Sequence, residues 1–177
     1  MEKLNIKIKK LYPDACIPSK KFDSDAAFDL YAYCPDDTYH TWESGCTKSA
    51  IGVKILPHTT YICHTGISMA IPDGYWGAIY ARSGIATKQG IRPANAVGVI
   101  DPSYRGEIIV ALHNDSDELQ IIPHGSRIAQ FMLHKIEPTV FIECDELDDT
   151  RFHQQELYEE WEKLAEEQER FDAEDAQ

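Results

Sequence analysis

The sequence lacks the features that mark several large classes of protein. It contains no apolar run long enough to cross a membrane, and residues 1–6 have neither the apolar stretch nor the small-residue cleavage site of a signal peptide. The 5 cysteines include no Cys-x-x-Cys pair, so we expect free thiols rather than a disulfide framework. These absences predict a protein that is cytoplasmic or nuclear, is not secreted and does not bind a membrane.

Basic residues are scarce relative to acidic ones. The chain has 17 Lys and Arg against 30 Asp and Glu, which gives a net charge of −13. Residues 143–177 hold fifteen of the acidic residues and three of the basic ones, so this tail carries −12 and the rest of the chain −1. Long nucleic acids are bound largely by Lys and Arg side chains that neutralise phosphates, so this class of partner is excluded. A single nucleotide remains feasible, because it needs only a few local donors.

Short strands separated by turn residues are predicted throughout residues 1–142. Ile67, Met69 and Ile71 alternate with small or polar residues, which predicts a half-buried strand, and a Pro-Asp-Gly turn follows it. Further strands are predicted at residues 4–9, 76–80, 97–100, 107–114, 127–134 and 139–143. This density of short strands predicts an all-β sandwich or barrel, which we assign to a domain of residues 1–149.

The acidic tail follows a helical period instead. Leu157, Trp161 and Leu164 recur at helical spacing among acidic residues. We therefore predict an α-helix from about residue 154 to 171, within a C-terminal segment of residues 150–177. Two interpretations are open at this point: a helix that caps the surface of the domain, or a helix that binds a partner or has a regulatory role.

The segment around Asp101 combines three chemical functions. Asp101 lies at a predicted turn between two strands, where a carboxylate can act as a general base toward water, although an aspartate at a turn is also a common backbone cap. Asn95 offers an amide donor and acceptor for the edge of a pyrimidine, and Tyr104 offers a flat face for a sugar. Together these residues indicate a pocket for a small nucleotide.

A second segment has the equipment for holding a phosphate. Arg82 supplies a charged donor, Ser83 a hydroxyl group and Gly84 an accessible backbone amide. Each charge-assisted contact is worth about 1.5–3 kcal/mol. The same run also occurs in ordinary turns, so it is a weak signal by itself.

Two further positions are candidates for the site. Asp29 lies among apolar residues, where burial requires a partner, and either a hydrated Mg²⁺ or a structural hydrogen bond meets that need. Arg127 and Gln130 are an odd number of residues apart on a predicted strand. We therefore expect these two side chains on opposite faces, where one can face a ligand and the other a subunit contact, although a purely structural edge strand has the same pattern.

In this order, the segments resemble the motifs of the trimeric dUTPase family, whose members release dUMP and pyrophosphate from dUTP. The match spans about residues 22–133, and its four motifs correspond to residues 25–32, 81–91, 95–107 and 125–130. The third is the most specific, because its Asn, Gly, Asp, Tyr, Arg and Gly all occur in register. The resemblance implies a jelly-roll-like β-barrel, with the predicted C-terminal helix added to it, and a homotrimer whose active sites are shared between subunits.

The resemblance also implies a role for each candidate residue in a Mg²⁺-dependent dUTP diphosphatase. Asp101 would orient the water that attacks the α-phosphorus, and Asp29 would help to position the water shell of Mg²⁺. The base and sugar would be bound by Asn95, by backbone at Val99, Ile100 and Ile109, and by the ring of Tyr104, which would exclude a 2′-hydroxyl. The triphosphate would be held by Arg82, Ser83, Gly84 and Gln130.

The sequence departs from the family pattern at three places. Ala27 stands where the first motif commonly has Gly, and Ser126 where the fourth commonly has an acidic residue. The family's last motif, an Arg- and Gly-rich arm with a Phe that closes over the base, is not recognisable after Asp149. Arg151 and Phe152 supply two of its residue types without the glycines.

Other functions remain open beside dUTP hydrolysis. One is a diphosphatase for another pyrimidine deoxynucleotide, and another is a non-catalytic protein that senses nucleotides or binds a partner. A dCTP deaminase has a related fold, but it needs a catalytic Glu in the strand after the turn, where this chain has the apolar residues 108–111.

Overall fold

The computed structural model describes residues 4–34, 38–43, 46–147 and 157–166. The side chains of residues 38–43 and 46–51 lie outside that description. The strands are β1 (Lys7–Lys10), β2 (Phe28–Tyr31), β3 (Thr38–Glu43), β4 (Cys46–Ile55), β5 (Thr60–Ala70), β6 (Tyr75–Ala81), β7 (Ile91–Pro93), β8 (Gly98–Ile100), β9 (Glu107–Asn114), β10 (Gln120–Pro123) and β11 (Arg127–Lys135). Helix α1 (Ser83–Gln89) lies between β6 and β7, and residues 157–166 form helix α2.

The strands form three antiparallel sheets. Their orders are β1-β5-β9-β7, β10-β4-β3 and β2-β11-β6-β8. Most neighbours in these sheets are distant in sequence, so the chain crosses repeatedly from one sheet to another, as it does in a jelly roll. The all-β prediction is confirmed.

The core forms because apolar residues alternate along the strands. In β9, Ile108, Val110 and Leu112 are buried, whereas Ile109 between them is 42% exposed. Phe131 of β11, in another sheet, belongs to the same apolar cluster. Residues facing away from this core are therefore the ones available for a site.

The chain divides into two compact units, Met1–Glu137 and Pro138–Gln177. The first contains all eleven described strands and helix α1, and the second contains helix α2. The domain limits at residues 149 and 150 stay a prediction.

Several predicted strands are confirmed, and one is wrong. The predictions for residues 76–80, 97–100, 107–114 and 127–134 correspond to β6, β8, β9 and β11. Residues 139–143 are not a strand, and Val140, Phe141 and Ile142 are 82%, 96% and 83% exposed. Their apolar, β-branched composition is typical of a strand, but a strand also requires a neighbour that pairs with its backbone.

The tail helix is confirmed over the described residues 157–166, and its predicted ends lie outside them. Across the described ranges, no helix combines the length and the hydropathy that crossing a membrane requires. Cys16 and Cys144 are exposed free thiols, whereas Cys34 and Cys63 are buried, with their sulfur atoms 3.9 Å and 3.6 Å from the carbonyl oxygens of Ile122 and His64.

Candidate active site

A cleft of about 520 Å³ brings three of the four sequence segments together. It lies along the outer side of β2 and β11 and at the beginning of α1. The residues that line it are Lys21, Phe22, Asp25, Ala26, Ala27, Asp29, Arg82, Ser83, Gly84, Arg127, Gln130 and Met132. The phosphate-binding candidates Arg82, Ser83, Gly84 and Gln130 therefore share one cleft with Asp29.

Asp29 lies between two guanidinium groups. Arg82 Nε donates to its Oδ1 at 2.6 Å, and Arg127 Nη1 donates to its Oδ2 at 3.2 Å. The side chains of Asp29 and Arg82 are only 17% and 23% exposed, so solvent screens this pair weakly. The expectation that a carboxylate at this position needs a partner is met by two arginines of the chain itself. The carboxylate fixes the direction in which Arg82 presents its remaining N–H groups.

Gln130 is held beside this pair by the backbone. It lies opposite Asp29 of β2 and Tyr80 of β6 in the sheet, and its Nε2 donates to the carbonyl oxygen of Ala81 at 2.7 Å. The Ala81 carbonyl immediately precedes Arg82 in the chain. The hydrogen bond thus fixes the start of the candidate phosphate-binding segment relative to β11.

The prediction that Arg127 and Gln130 face opposite sides is wrong, because both line the cleft. The register between β11 and β2 shifts between Arg127 and Ala129, which pair with the consecutive residues Tyr31 and Leu30. This bulge places one extra residue in β11 and reverses the alternation of side chains across it.

Ser83 and Gly84 form the first turn of α1, and both are exposed. Arg82 precedes the helix in an extended conformation, and its carbonyl accepts the N–H of Ala86 at 3.0 Å. The N–H groups of the first helical turn have no intrahelical acceptor. A Cβ atom added at Gly84 would meet no heavy atom within 4 Å, so a ligand can approach the backbone there.

The third segment is built around β8 and the turns on either side of it. Asn95 lies in the turn between β7 and β8, and its side chain is exposed. Val99 is 60% exposed on β8, which is an edge strand of its sheet. Asp101 follows β8 directly and is also exposed. Among the described residues no strand pairs with the outer edge of β8, so its N–H and C=O groups there are available to a ligand.

Tyr104 is oriented by the turn that it belongs to. Its N–H donates to the carbonyl of Asp101 at 3.1 Å, and its hydroxyl donates to the carbonyl of Glu107 at 2.8 Å. A Cβ atom at Gly106 would lie 2.5 Å from the Tyr104 hydroxyl oxygen, so the ring lies across a position that only glycine leaves free. The ring remains 40% exposed and available to a ligand.

The third segment does not contribute to the cleft of the same chain. Strands β2 and β8 are at opposite edges of their sheet with two strands between them, which corresponds to a separation of about 14 Å. Asp29 is on β2, and Asp101 follows β8. A general base must come within about 3 Å of the water that it deprotonates, and that water must lie beside the bound phosphate. One chain therefore holds the two halves of the candidate site apart.

Sequence reasoning missed several residues of the cleft. Lys21 and Phe22 line it from the loop before β2, and Asp25 closes that loop by accepting the Phe22 N–H at 2.9 Å. The signal was present, since a basic residue stands a few positions before the first motif. It was ambiguous, because neighbouring Lys20 has the same chemistry but does not line the cleft.

The donor set around Asp29 fits a hydrated cation better than a directly coordinated one. Among the described residues, no group of three or more His, Cys, Asp or Glu side chains can hold a metal ion. A carboxylate accepts about four hydrogen bonds, and the two arginines occupy two of these positions. The remaining positions can accept hydrogen bonds from water around Mg²⁺, an ion that keeps most of its water shell beside phosphates.

The fold and the cleft together define an all-β jelly-roll protein with a preformed cleft lined by arginine, serine and carboxylate side chains. The sequence model of the dUTPase family matches residues 46–158, and the chain belongs to this family. The deoxyuridine 5′-triphosphate nucleotidohydrolase of Syntrophotalea carbinolica is 35% identical over 85% of this chain and 92% of its own length. The enzyme of the same name from Rhodococcus erythropolis is 38% identical over 83% of this chain and 80% of its own.

A solved structure shows the same fold. The dUTPase of phage phi11 of S. aureus, described with a structural Mg(II) ion, matches with a TM-score of 0.64 and 20% identity. The match covers 81% of this chain and 98% of the phage protein. The dUTPase jelly-roll fold implied by the resemblance is thus confirmed.

Proposed function

We propose that this protein is a dUTP diphosphatase, which hydrolyses dUTP to dUMP and pyrophosphate with Mg²⁺. Its kinship with nucleotidohydrolases over 85% of the chain carries the proposal. In a cell this reaction keeps uracil out of DNA and supplies dUMP for the synthesis of dTMP. The residues assigned below are our inference from the cleft, the third segment and the family resemblance.

The triphosphate binds in the cleft. Arg82 contributes a charged donor that Asp29 orients, and Ser83 and Gly84 contribute a hydroxyl group and backbone N–H groups at the start of α1. Gln130 contributes the second N–H of its amide, because the first is directed to Ala81. Mg²⁺, when bound, neutralises charge on the triphosphate that otherwise repels a nucleophile. Asp29 would help to hold that ion by accepting hydrogen bonds from its waters.

The base and sugar bind at the third segment. The exposed amide of Asn95 and the free backbone edge of β8 at Val99 and Ile100 have the donors and acceptors that match uracil. Ile109 lies on β9 beyond the residues that pair with β7, and no other described strand pairs with it on that side. Tyr104 packs against deoxyribose and leaves no space for a 2′-hydroxyl.

Asp101 is the general base. It is exposed at the end of β8, next to the sugar-binding ring of Tyr104, where it can take a proton from a water aligned with the α-phosphorus. Positioning and charge neutralisation supply the remainder of the rate enhancement, as is usual for phosphoryl transfer.

The complete site is shared between protomers of a homotrimer. This assignment is supported by the separation of Asp101 from the cleft within one chain, since a bound triphosphate must reach both. A neighbouring protomer supplies the third segment to the cleft of the first. Each protomer of a closed ring then contributes to two sites.

Pyrophosphate release is the direct test. It is measured with dUTP, dCTP, dTTP and UTP in the presence of Mg²⁺, for the intact chain, Asp101→Asn and the control Asp73→Asn, which alters another exposed turn aspartate. We expect selection of dUTP and a loss of at least about 100-fold in kcat for Asp101→Asn, the usual contribution of a general base. Asp73→Asn keeps full activity. Turnover by Asp101→Asn equal to that of the intact chain would rule out Asp101 as the general base. Preference for another nucleotide would rule out dUTP as the substrate.

A chain that ends at Asp149 tests the acidic tail in the same assay. Unchanged rates would identify the tail as structural or regulatory. A collapse of kcat with dUTP binding retained would show that residues 150–177 take part in closing the site, in place of the family's Arg- and Gly-rich arm. A protein partner of the tail stays a prediction.

A further inference from the structure

We propose that Glu107 and His64 position Tyr104 and thereby set the discrimination of deoxyribose from ribose. The proposal rests on the role of Tyr104 in the proposed function. We call Glu107, His64 and Gly66 the Glu107 cluster. None of the three lines the cleft that is proposed to bind the triphosphate, so we expect them to affect recognition of the sugar and not binding of the phosphates.

Glu107 connects the Tyr104 turn to a neighbouring strand. Its carbonyl accepts the Tyr104 hydroxyl at 2.8 Å. Its carboxylate, 18% exposed, accepts the Gly66 N–H on Oε1 at 2.8 Å and His64 Nδ1 on Oε2 at 2.8 Å. Glu107 is thus held in two places. Its carboxylate is bound to residues of β5, and its backbone carbonyl binds the Tyr104 hydroxyl.

The anchor on β5 is rigid. Gly66 has a φ of +70° and lies where the register between β5 and β9 shifts, between His64 and Ser68. Its carbonyl accepts the Leu11 N–H at 2.8 Å, and a Cβ atom there would lie 2.8 Å from the Ala15 Cβ. A peptide group enclosed in this way holds its N–H in one direction, so the Glu107 carboxylate has a fixed partner.

The ring that this cluster positions is otherwise open. Tyr104 is 40% exposed, and its hydroxyl bond to Glu107 is what fixes the tip of the ring over Gly106. A ring that rejects a 2′-hydroxyl by contact must not retreat, because a small displacement creates space for one oxygen atom. Loss of the Glu107 carboxylate removes two of the contacts that hold the start of β9 and leaves the backbone pairing with Ser68, so that the ring can shift.

The test compares dUTP with UTP. The ratio of their kcat/KM values is measured for the intact chain, Glu107→Ala, Glu107→Gln and His64→Ala. Asp117→Ala is the matched control, because it breaks a second histidine–carboxylate contact, His58 Nε2 to Asp117 Oδ1 at 2.9 Å, on a fully exposed side chain. The thermal midpoint of each variant is recorded beside the ratio.

We expect Glu107→Ala to lower the dUTP/UTP ratio about tenfold or more, mainly through a higher kcat/KM for UTP, since a ring that can shift no longer excludes the 2′-hydroxyl by contact. Glu107→Gln restores most of the ratio, because its amide oxygen still accepts the Gly66 N–H. His64→Ala lowers the ratio about threefold, because the Gly66 N–H still binds the Glu107 carboxylate. The His64 side chain is half-exposed, so its removal leaves the core intact. Asp117→Ala leaves the ratio unchanged.

An unchanged ratio in folded Glu107→Ala would overturn the proposal, and so would an unchanged ratio in His64→Ala if Glu107→Ala does not fold. A fall of the dUTP/UTP ratio in Asp117→Ala equal to that in Glu107→Ala would also overturn the proposal. The intact chain separates this failure from that of the proposed function: turnover of dUTP by the intact chain establishes the activity, whatever the ratios of the variants.

Discussion

Arg82 Nε lies 2.6 Å from Asp29 Oδ1, and this contact joins the second sequence segment to the first across 53 residues of chain. Arg127 donates to the other oxygen of the same carboxylate. The cleft proposed to bind the triphosphate thus contains a carboxylate between its two arginines. A carboxylate is expected at this position if the orientation of the guanidinium groups contributes more to binding than the total positive charge does.

Asp29→Asn separates these two effects. The substitution makes the cleft more positive by one charge, so a purely electrostatic site would bind dUTP more tightly. We expect the opposite, a rise in KM for dUTP of about tenfold, because one of the two atoms that face the arginines becomes an NH2 group, which cannot accept a hydrogen bond. Steady-state kinetics with Mg²⁺ in excess measures the effect. An unchanged or lower KM would show that Asp29 does not orient the arginines.

Lys21 is a cation of the cleft with no carboxylate partner among the described residues. Arg82 and Arg127 share Asp29, whereas Lys21 contacts the ring of Phe22, with Nζ 5.1 Å from its centre. We expect Lys21→Gln to raise the KM for dUTP about three- to tenfold and to weaken its dependence on salt, as for an exposed charge that attracts phosphate.

Lys20→Gln is the control for that variant. Lys20 lies over the ring of Phe28 at 4.5 Å and does not line the cleft. Equal changes of KM in the two variants would mean that the general charge of this loop, rather than a contact from Lys21, attracts the nucleotide.

Mixing two inactive variants tests whether a site is shared. Asp101→Asn and Arg82→Ala are each expected to lack activity as homotrimers. If one protomer supplies Asp101 and its neighbour supplies Arg82, random assembly of a 1:1 mixture gives about a quarter of the sites both native residues. Refolding the two chains together and assaying pyrophosphate release measures that fraction. No recovery, with trimers shown to exchange subunits, would contradict the shared site.

The sequence was most informative where burial dictates the pattern. Ile108, Val110 and Leu112 alternate strictly, and the strand predicted at residues 107–114 has the bounds of β9. Residues 139–143 have a comparable composition and are not a strand, because pairing depends on a neighbouring backbone that composition does not specify.

The site was predictable as a set of segments and not as a geometry. Asp29 was expected to need a partner, but several cations of the chain were equally suitable until the fold placed Arg82 and Arg127 beside it. The bulge in β11 that turns Arg127 into the cleft depends on pairing with β2, about 98 residues away. The local sequence around Arg127 does not specify that register.

Gly66 provides a test of the fold that needs no assay of activity. It has a φ of +70°, and an added Cβ would lie 2.8 Å from the Ala15 Cβ and 3.0 Å from the Tyr33 ring. Gly74 has a φ of +81° with no heavy atom within 4 Å of such a Cβ. Gly74→Ala therefore measures the left-handed backbone alone, about 1–2 kcal/mol of unfolding free energy.

Gly66→Ala adds a steric clash to that cost, and we expect a further loss of about 1–3 kcal/mol. The Tyr33 ring cannot move away easily, because it stacks on Tyr12 with ring centres 4.4 Å apart and its hydroxyl donates to Asp14 at 3.0 Å. Urea unfolding of the two variants and the intact chain gives the difference. Equal losses would mean that the space around Gly66 is looser than these contacts indicate, and the anchor assigned to the Glu107 cluster would then lose its rigidity.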